Sequence, residues 1–169
     1  MTGYAIREMT RSDWPRVESI FREGIDTGHA TFEVAPPSWE RFNDGKTTHS
    51  RLVAVSADGM VIGWVAGSPV SSRPAYAGVV EHSVYVSSAA RGQGIGAALL
   101  AAYIASSEAN GVWTIQSSIF PENSSSLRLH HQAGFVTVGR RTAIALMTYG
   151  PLAGQWRDTL LLERRSPIG

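Results

Sequence analysis

Strand-like and helix-like patterns alternate along the first part of the chain. Residues 4–7 predict a short strand, and Thr10 or Ser12 can cap the helix that follows it. The apolar residues of this helix recur at helical spacing, at Val17, Ile20, Phe21 and Ile25. Residues 27–37 are aromatic and polar and end in two prolines, so we expect a loop there and a second helix near residues 38–43.

The clearest local signal is a β-hairpin. Two apolar segments, residues 51–57 and 60–68, flank the dipeptide Asp58-Gly59. An Asp-Gly pair tolerates the positive φ angles of a type I′ turn, so the pattern predicts two antiparallel strands joined by that turn.

The second half of the chain alternates between strands and helices. The β-branched and aromatic segment 79–86 predicts a central strand, and the glycine-rich segment 91–96 opens a helix that ends at Asn110-Gly111. Further strands are expected at residues 112–120, 135–140 and 156–162, with a helix capped by Asn123 or Ser124 and ending at residues 133–134. A chain that begins with a hairpin and then partly alternates strand and helix predicts an α/β fold with a mixed sheet.

Composition narrows the class of protein. The 169 residues suit one domain over residues 1–169, with a flexible tail expected at residues 163–169. A net charge of +1 lacks the basic field of a nucleic-acid-binding protein, and the absence of cysteine excludes disulfides and thiolate nucleophiles. No apolar run reaches the roughly 20 residues of a membrane span. We therefore expect a soluble cytoplasmic protein without nucleic-acid or membrane partners.

The segment Arg91-Gly92-Gln93-Gly94-Ile95-Gly96 is the strongest chemical signal. Three glycines where a strand becomes a helix let backbone N–H groups approach an anion, so a phosphate or pyrophosphate is the natural ligand. A nicotinamide cofactor is disfavoured because residues 87–90 separate the strand from the turn and no acidic residue ends the next strand. The five histidines show no zinc-binding spacing, so no metal is predicted.

The order VEHSVYV, RGQGIG and ENSSSLRLHHQAGF resembles the acetyl-CoA-binding core of the GNAT N-acetyltransferase superfamily. The strand VEHSVYV is similar to the branch that contains phosphinothricin and methionine sulfoximine acetyltransferases. The resemblance implies a GNAT-like fold with a mixed, mostly antiparallel sheet flanked by helices, and acetyl-CoA as the cosubstrate. It also implies a cofactor site built from the strand end, the glycine turn and the next loop. These residues are Val84, Tyr85, Val86, Arg91, Gly92, Gln93, Gly94, Ile95, Gly96, Ala97, Asn123 and Ser126.

Glu81 is the candidate general base. It shares strand parity with Ser83 and Tyr85, so one sheet face carries polar groups, and a partly shielded carboxylate can take the proton of an amine. Parity alone favours a structural carboxylate; the resemblance supplies the catalytic role. It also implies that the backbone near Val84 polarises the thioester and that His130 protonates the leaving thiolate, although a packed histidine would look the same.

The acceptor is expected to be a small amino-acid-like amine. Arg73 could grip an acidic group of such a substrate, and the remaining candidates line the same site: Thr31, Phe32, Tyr76, Glu81 and Ser83. The resemblance further implies a homodimer. The alternatives are a GNAT enzyme acting on a polyamine, an aminoglycoside or a protein amino terminus, a non-catalytic CoA-binding sensor, and lastly a nicotinamide enzyme.

Overall fold

The computed structural model describes residues 3–167 and contains a seven-stranded sheet in the order β1-β2-β3-β4-β5-β7-β6. Only β4 and β5 run parallel, and every other neighbouring pair is antiparallel. The predicted mixed α/β sheet is confirmed. The strands are β1 Tyr4–Glu8, β2 Leu52–Ser56, β3 Val61–Pro69, β4 Val79–Val86, β5 Thr114–Ile119, β6 Val136–Leu146 and β7 Trp156–Arg165.

Four α-helices cover the sheet. They are α1 Trp14–Asp26, α2 Trp39–Gly45, α3 Ile95–Ala109 and α4 Ser124–Gln132. Thr10 caps the short 3₁₀ turn that precedes α1, and the Asn123 side chain caps α4 by accepting the Ser126 N–H at 3.2 Å. The positions of the predicted helices are thus confirmed, with boundaries shifted by a few residues.

Alternation along the central strands divides the core between the two faces of the sheet. Trp64 of β3 is fully buried against α1 and α2 together with Phe21 and Phe42, whereas its neighbour Val65 faces α3. Side chains of successive strand residues point to opposite faces, so each strand contributes to both clusters. Two separate layers of helices therefore sandwich the sheet.

The hairpin of β2 and β3 forms as predicted, but its turn is not of type I′. Gly59 has a φ of +85°, whereas Asp58 is not among the residues with positive φ, and the Gly59 N–H donates to the Ser56 carbonyl at 2.9 Å. A type I turn followed by one left-handed glycine needs positive φ at the glycine only, so the aspartate keeps an ordinary backbone conformation.

The predicted tail at residues 163–169 is wrong for its first part. Glu163, Arg164 and Arg165 belong to β7, where they pair with β5, and Arg164 also forms an ion pair with Glu108 on α3 at 2.5 Å. The backbone of β5 needs this partner to complete its hydrogen bonds, which outweighs the polar composition. Residues 168–169 lie outside the described residues. No helix in the described range is long and apolar enough to span a bilayer.

Candidate active site

The parallel strands β4 and β5 pair at only three positions and then separate. The last paired position joins Glu81 to Gln116, although β4 continues to Val86 and β5 to Ile119. Beyond this point the facing edges lack each other's hydrogen bonds, so their backbone N–H and C=O groups can bind a ligand. The separation opens a cleft of about 570 Å³ between the two strands.

The glycine-rich turn forms one end of this cleft. Gly92 and Gly94 both have a φ of +77°, and no atom lies within 4 Å of the position that a Cβ would occupy at either residue. The first intrahelical bond of α3 runs from Ala98 N–H to the Gly94 carbonyl, so the preceding amides are not consumed within the helix. This arrangement offers backbone donors and the positive end of a helix dipole to an anion.

Most predicted cofactor residues line the cleft. Val84, Tyr85, Val86, Arg91, Gly92, Gly94, Ile95, Gly96, Asn123 and Ser126 are all at its wall. Gln93 and Ala97 are exposed and are not part of the wall. The Asn123 side chain is occupied at both ends, because its oxygen caps α4 and its nitrogen donates to the His29 carbonyl at 3.2 Å.

Two side chains of α1 hold the segment before the glycine turn, and the sequence patterns did not indicate them. Glu23 accepts the Ser88 N–H at 2.7 Å, and Arg16 donates to the Val61 carbonyl at 3.0 Å and to the Ser87 hydroxyl at 3.2 Å. These contacts lower the pKa of Glu23 against the opposing effect of burial. The strand end and the turn are therefore anchored to α1 rather than free to move separately.

Glu81 and His82 are neighbours in sequence but face opposite sides of the sheet. Glu81 shares its face with Gln116 and Ser118 of β5, whose nitrogen and hydroxyl lie 2.7 and 3.4 Å from its Oε2 atom. His82 is buried on the other face beside α3 and α4, where it stacks on Tyr103. The imidazole of His82 lines the cleft, whereas Glu81 stands just outside its wall, two residues before the lining residue Ser83 on the same strand face.

His82 and His130 are in direct contact, with their Nε2 atoms 3.1 Å apart. The Nδ1 atom of His130 lies 2.7 Å from the Ser126 carbonyl, and Nδ1 of His82 lies 3.3 Å from the Gln116 carbonyl. A carbonyl can only accept a hydrogen bond. The two Nδ1–carbonyl contacts and the Nε2–Nε2 contact therefore need three N–H groups in total, whereas two neutral imidazoles carry two. We assign those two protons to the shorter carbonyl contact and to the central contact, because the 3.3 Å contact of His82 is the longest of the three.

The surroundings keep this histidine pair neutral. Desolvation lowers the pKa of His82 to about 3, with a further contribution from His130, and desolvation also lowers the pKa of His130. In the neutral pair, Nδ1 of His130 donates to Ser126, so Nε2 of His130 is the acceptor from His82. His130 therefore presents no free N–H to the cleft until the pair gains a proton.

The predicted acceptor residues fall into two groups. Ser83 lines the cleft, and the loop with Thr31 and Phe32 is held close to it: the Thr31 carbonyl accepts from the Tyr149 hydroxyl at 2.7 Å, and Phe32 packs edge-on against Phe120. Arg73 and Tyr76 are exposed instead. Their contact is a cation–π interaction with each other at 5.7 Å, and neither residue lines the cleft.

Arg157 of β7 is a buried charge that no sequence pattern indicated. Its guanidinium donates to the Gly28 carbonyl at 2.5 Å, lies 3.1 Å from Nδ1 of His29, and stacks over the Phe120 ring at 3.6 Å. The exposed Glu122 is its nearest carboxylate, at 3.4 Å. Arg157 therefore joins the loop after α1 to the end of β5, and both segments border the cleft.

Comparison with known proteins agrees with this geometry. The family model described as the acetyltransferase (GNAT) family matches residues 5–135, and the chain therefore belongs to this family of acetyltransferases. No three His, Cys, Asp or Glu side chains cluster as a metal site within residues 3–167.

The chain is also similar to individual members of this family. A phosphinothricin N-acetyltransferase of Alcaligenes faecalis is 33% identical over 165 residues, covering 94% of this chain and 81% of the relative. An L-methionine sulfoximine/L-methionine sulfone acetyltransferase of Pseudomonas aeruginosa is 28% identical, covering 94% and 92%. The crystal structure of a phosphinothricin acetyltransferase from Sinorhizobium meliloti in complex with AcCoA superposes with a TM-score of 0.87 at 33% identity, covering 100% of this chain and 91% of that one.

Proposed function

We propose that the protein transfers the acetyl group of acetyl-CoA to the amine of a small amino-acid-like acceptor of the phosphinothricin, methionine sulfoximine or methionine sulfone type. The observation that carries the proposal is the separation of β4 and β5 directly after Glu81. It opens a cleft that has the glycine turn at one end and that Ser83 lines, two residues beyond this carboxylate on the same strand face. The similarity to relatives named for these acceptors supports the same substrate class.

Acetyl-CoA fits the cleft by its chemistry. The amides around Gly92 and Gly94 would hold the pyrophosphate, and the unpaired edge from Ser83 to Val86 would receive the pantetheine and the thioester. A backbone N–H near Val84 would polarise the thioester carbonyl and stabilise its developing negative charge.

The transfer is direct. The amine nitrogen forms a bond to the thioester carbon, the carbon–sulfur bond breaks, and CoA leaves as a thiolate. Glu81 takes the amine proton, directly or through one water, and the donor from Gln116 holds the carboxylate in place for that step. The chain has no cysteine, which agrees with a mechanism that needs no covalent intermediate on a thiol.

His130 lies at the cofactor side of the cleft, where a proton is needed by the thiolate sulfur. Because neutral His130 offers a lone pair at Nε2, it can act as the acid only when the His82–His130 pair holds a third proton. Water is the other proton source for the thiolate.

A homodimer formed through β6 is part of the proposal. Both faces of β6 are largely uncovered, and the exposed apolar residues of β6 and the start of β7 keep between 41% and 65% of their surface accessible. These residues are Val136, Val138, Ile144, Leu146 and Trp156. Such a patch at a sheet edge is typical of a surface that binds another chain. A cytoplasmic location remains a prediction.

The experiment is an acceptor panel with acetyl-CoA, read by thiol release and by mass spectrometry of the acetylated amine. We expect transfer to phosphinothricin, methionine sulfoximine and methionine sulfone. Transfer only to a polyamine, an aminoglycoside or a peptide amino terminus would keep the chemistry but reject this acceptor class. Tight CoA binding without any turnover would favour a sensor, and displacement of bound CoA by NADH would favour a nicotinamide site.

A further inference from the structure

Two cationic side chains stand beside Glu81 without an ion-pair partner. Lys46 and Arg141 come from distant parts of the chain and reach serines on either side of the carboxylate. Neither has a carboxylate within 4.0 Å among residues 3–167. An unpaired cation beside a candidate catalytic carboxylate is a candidate contact for an anionic group of the acceptor.

A backbone hydrogen bond of the next residue fixes Lys46 on the face of the sheet that carries Glu81. The lysine follows the end of α2, and the next residue, Thr47, donates its N–H to the Gly67 carbonyl at 2.9 Å. The Lys46 ammonium then lies 3.1 Å from the hydroxyl of Ser68, and Ser68 is the β3 residue directly opposite Glu81. The ammonium is therefore one strand away from the candidate base.

The environment of Lys46 favours a negative partner. Burial lowers its pKa, and the charges of Glu81 and Glu33 oppose that shift. Its side chain also lies over the Phe42 ring, with the ammonium 5.6 Å from the ring centre. A half-buried ammonium held by one hydroxyl has donor capacity left, and an anion beside it would restore the solvation that burial removes.

Arg141 approaches Glu81 from the other side. Its guanidinium lies 3.4 Å from the Ser118 hydroxyl, which itself lies 3.4 Å from Oε2 of Glu81. Arg141 stands at the start of a bulge in β6, where pairing with β7 is interrupted between Arg141 and Ala145. Bulges beside active sites redirect side chains, and this one is held by Asp158, which accepts the Ala143 N–H at 2.8 Å.

We propose that Lys46 and Arg141 form the anion-binding part of the acceptor site and hold the carboxylate of an α-amino acid while its amine faces Glu81. This inference rests on the proposed function and specifies its substrate class. In an α-amino acid the amine and the carboxylate are attached to the same carbon. A base flanked by two cations can therefore face the amine while the cations bind the carboxylate. The exposed Arg73 is then not required for binding the carboxylate.

The test compares methionine sulfone with 3-(methylsulfonyl)propylamine, the same molecule without its carboxylate. Wild-type enzyme should prefer the amino acid through a lower KM. Lys46→Met and Arg141→Met should each raise KM for methionine sulfone about tenfold or more, as expected for loss of a charge-assisted hydrogen bond. The KM values for the amine lacking a carboxylate and for acetyl-CoA should stay within about twofold.

Matched variants separate the effect of losing a positive charge from a structural effect of the substitution. Lys46→Arg keeps the charge and should retain most of the affinity for methionine sulfone. Arg11→Met removes one positive charge from an exposed site and should leave the KM values for both acceptors unchanged. A wild-type enzyme that shows no preference for the amino acid overturns the inference. So does a KM for methionine sulfone that responds to Arg73→Met but not to Lys46→Met or Arg141→Met.

Calorimetric binding of methionine sulfone to the CoA-saturated protein tests the site without turnover. Binding that Lys46→Met and Arg141→Met weaken and Lys46→Arg preserves supports the anion site even if no acetyl transfer is detected, so failure of the proposed function would be seen separately. Equal binding by all variants, or no binding by the wild-type protein, overturns the inference.

Discussion

Gln116 donates a 2.7 Å hydrogen bond from its side chain to the carboxylate of Glu81, at the last position where β4 and β5 pair. The backbone carbonyl of the same residue lies 3.3 Å from Nδ1 of His82 on the opposite face. One residue of β5 thus contacts both the candidate base and the histidine pair. The proposed reaction takes place just beyond it, where the strands separate.

Replacing Glu81 with glutamine should lower kcat/KM by roughly 10²–10⁴-fold, the usual contribution of a general base. The loss should be largest at acidic pH, because the free-amine fraction of the acceptor rises with pH and partly replaces the base. Affinity for CoA should be unchanged. Glu163→Gln is the control, since Glu163 of β7 pairs with Gln116 of β5 and is not among the hydrogen-bond partners of Glu81. Equal rates for wild type and Glu81→Gln at every pH would remove Glu81 from the mechanism.

Gly94→Ala should weaken acetyl-CoA binding, because a Cβ at a φ of +77° strains the turn that presents its amides to the cleft. We expect a rise of about tenfold in KM for acetyl-CoA and a loss of stability of about 1 kcal/mol. Gly59→Ala is a matched control, with a φ of +85° in the hairpin turn far along the chain from the cleft. If the control raises KM equally, backbone strain rather than the anion site explains the effect.

Acidification should destabilise the fold through the buried histidine pair. The pKa of His82 in the folded protein is lowered to about 3, below the value near 6.5 expected in the unfolded chain. The unfolded state therefore binds more protons between these values, so stability is full above pH 6.5 and is lost as pH falls toward 3. His82 alone should contribute a loss of about 2 kcal/mol between pH 7 and pH 5.

Denaturant unfolding at a series of pH values measures this loss. His82→Phe keeps an aromatic ring against Tyr103 and should flatten the pH dependence, although it also removes the hydrogen bond to His130. His131→Phe changes an exposed histidine and should leave the slope as in the wild type. The same dependence of the free energy of unfolding on pH in the wild type and both variants would contradict a neutral buried histidine pair.

Val138→Glu should convert a dimer into a monomer, because it places a charge on the exposed apolar edge of β6. Light scattering after size-exclusion chromatography gives the mass of each species. Val34→Glu is the control at an equally exposed apolar residue in the loop after α1. A wild-type protein that is monomeric at high micromolar concentration would rule out the proposed interface.

Local sequence patterns were sufficient for the elements and for the position of the glycine turn before α3. Helix α1 and strand β4 formed as predicted because their sequence signals are short-range. These signals are the helical spacing of Val17, Ile20 and Phe21 and the β-branched run of β4. The glycine turn was predictable for the same reason, because its chemistry is encoded in consecutive residues.

The proposed acceptor side depends on long-range contacts that leave no local signal. Lys46 contacts Ser68, opposite Glu81, because Thr47 pairs with β3, and Arg141 contacts Ser118 from the start of the β6 bulge. The partners of Arg157 at Gly28 and His29 are likewise more than one hundred residues away in sequence. Arg73 is close to β4 in sequence, but its side chain is exposed beside Tyr76, so its role in substrate binding stays a prediction.

Acceptor-dependent thiol release from acetyl-CoA tests the proposed acetyl transfer directly, and the cysteine-free chain adds no thiol background of its own. With methionine sulfone as acceptor, we predict stoichiometric release of CoA and formation of the N-acetyl amino acid, both strongly reduced in Glu81→Gln. Binding of acetyl-CoA without acceptor-dependent release, across phosphinothricin, methionine sulfoximine and methionine sulfone alike, would contradict it.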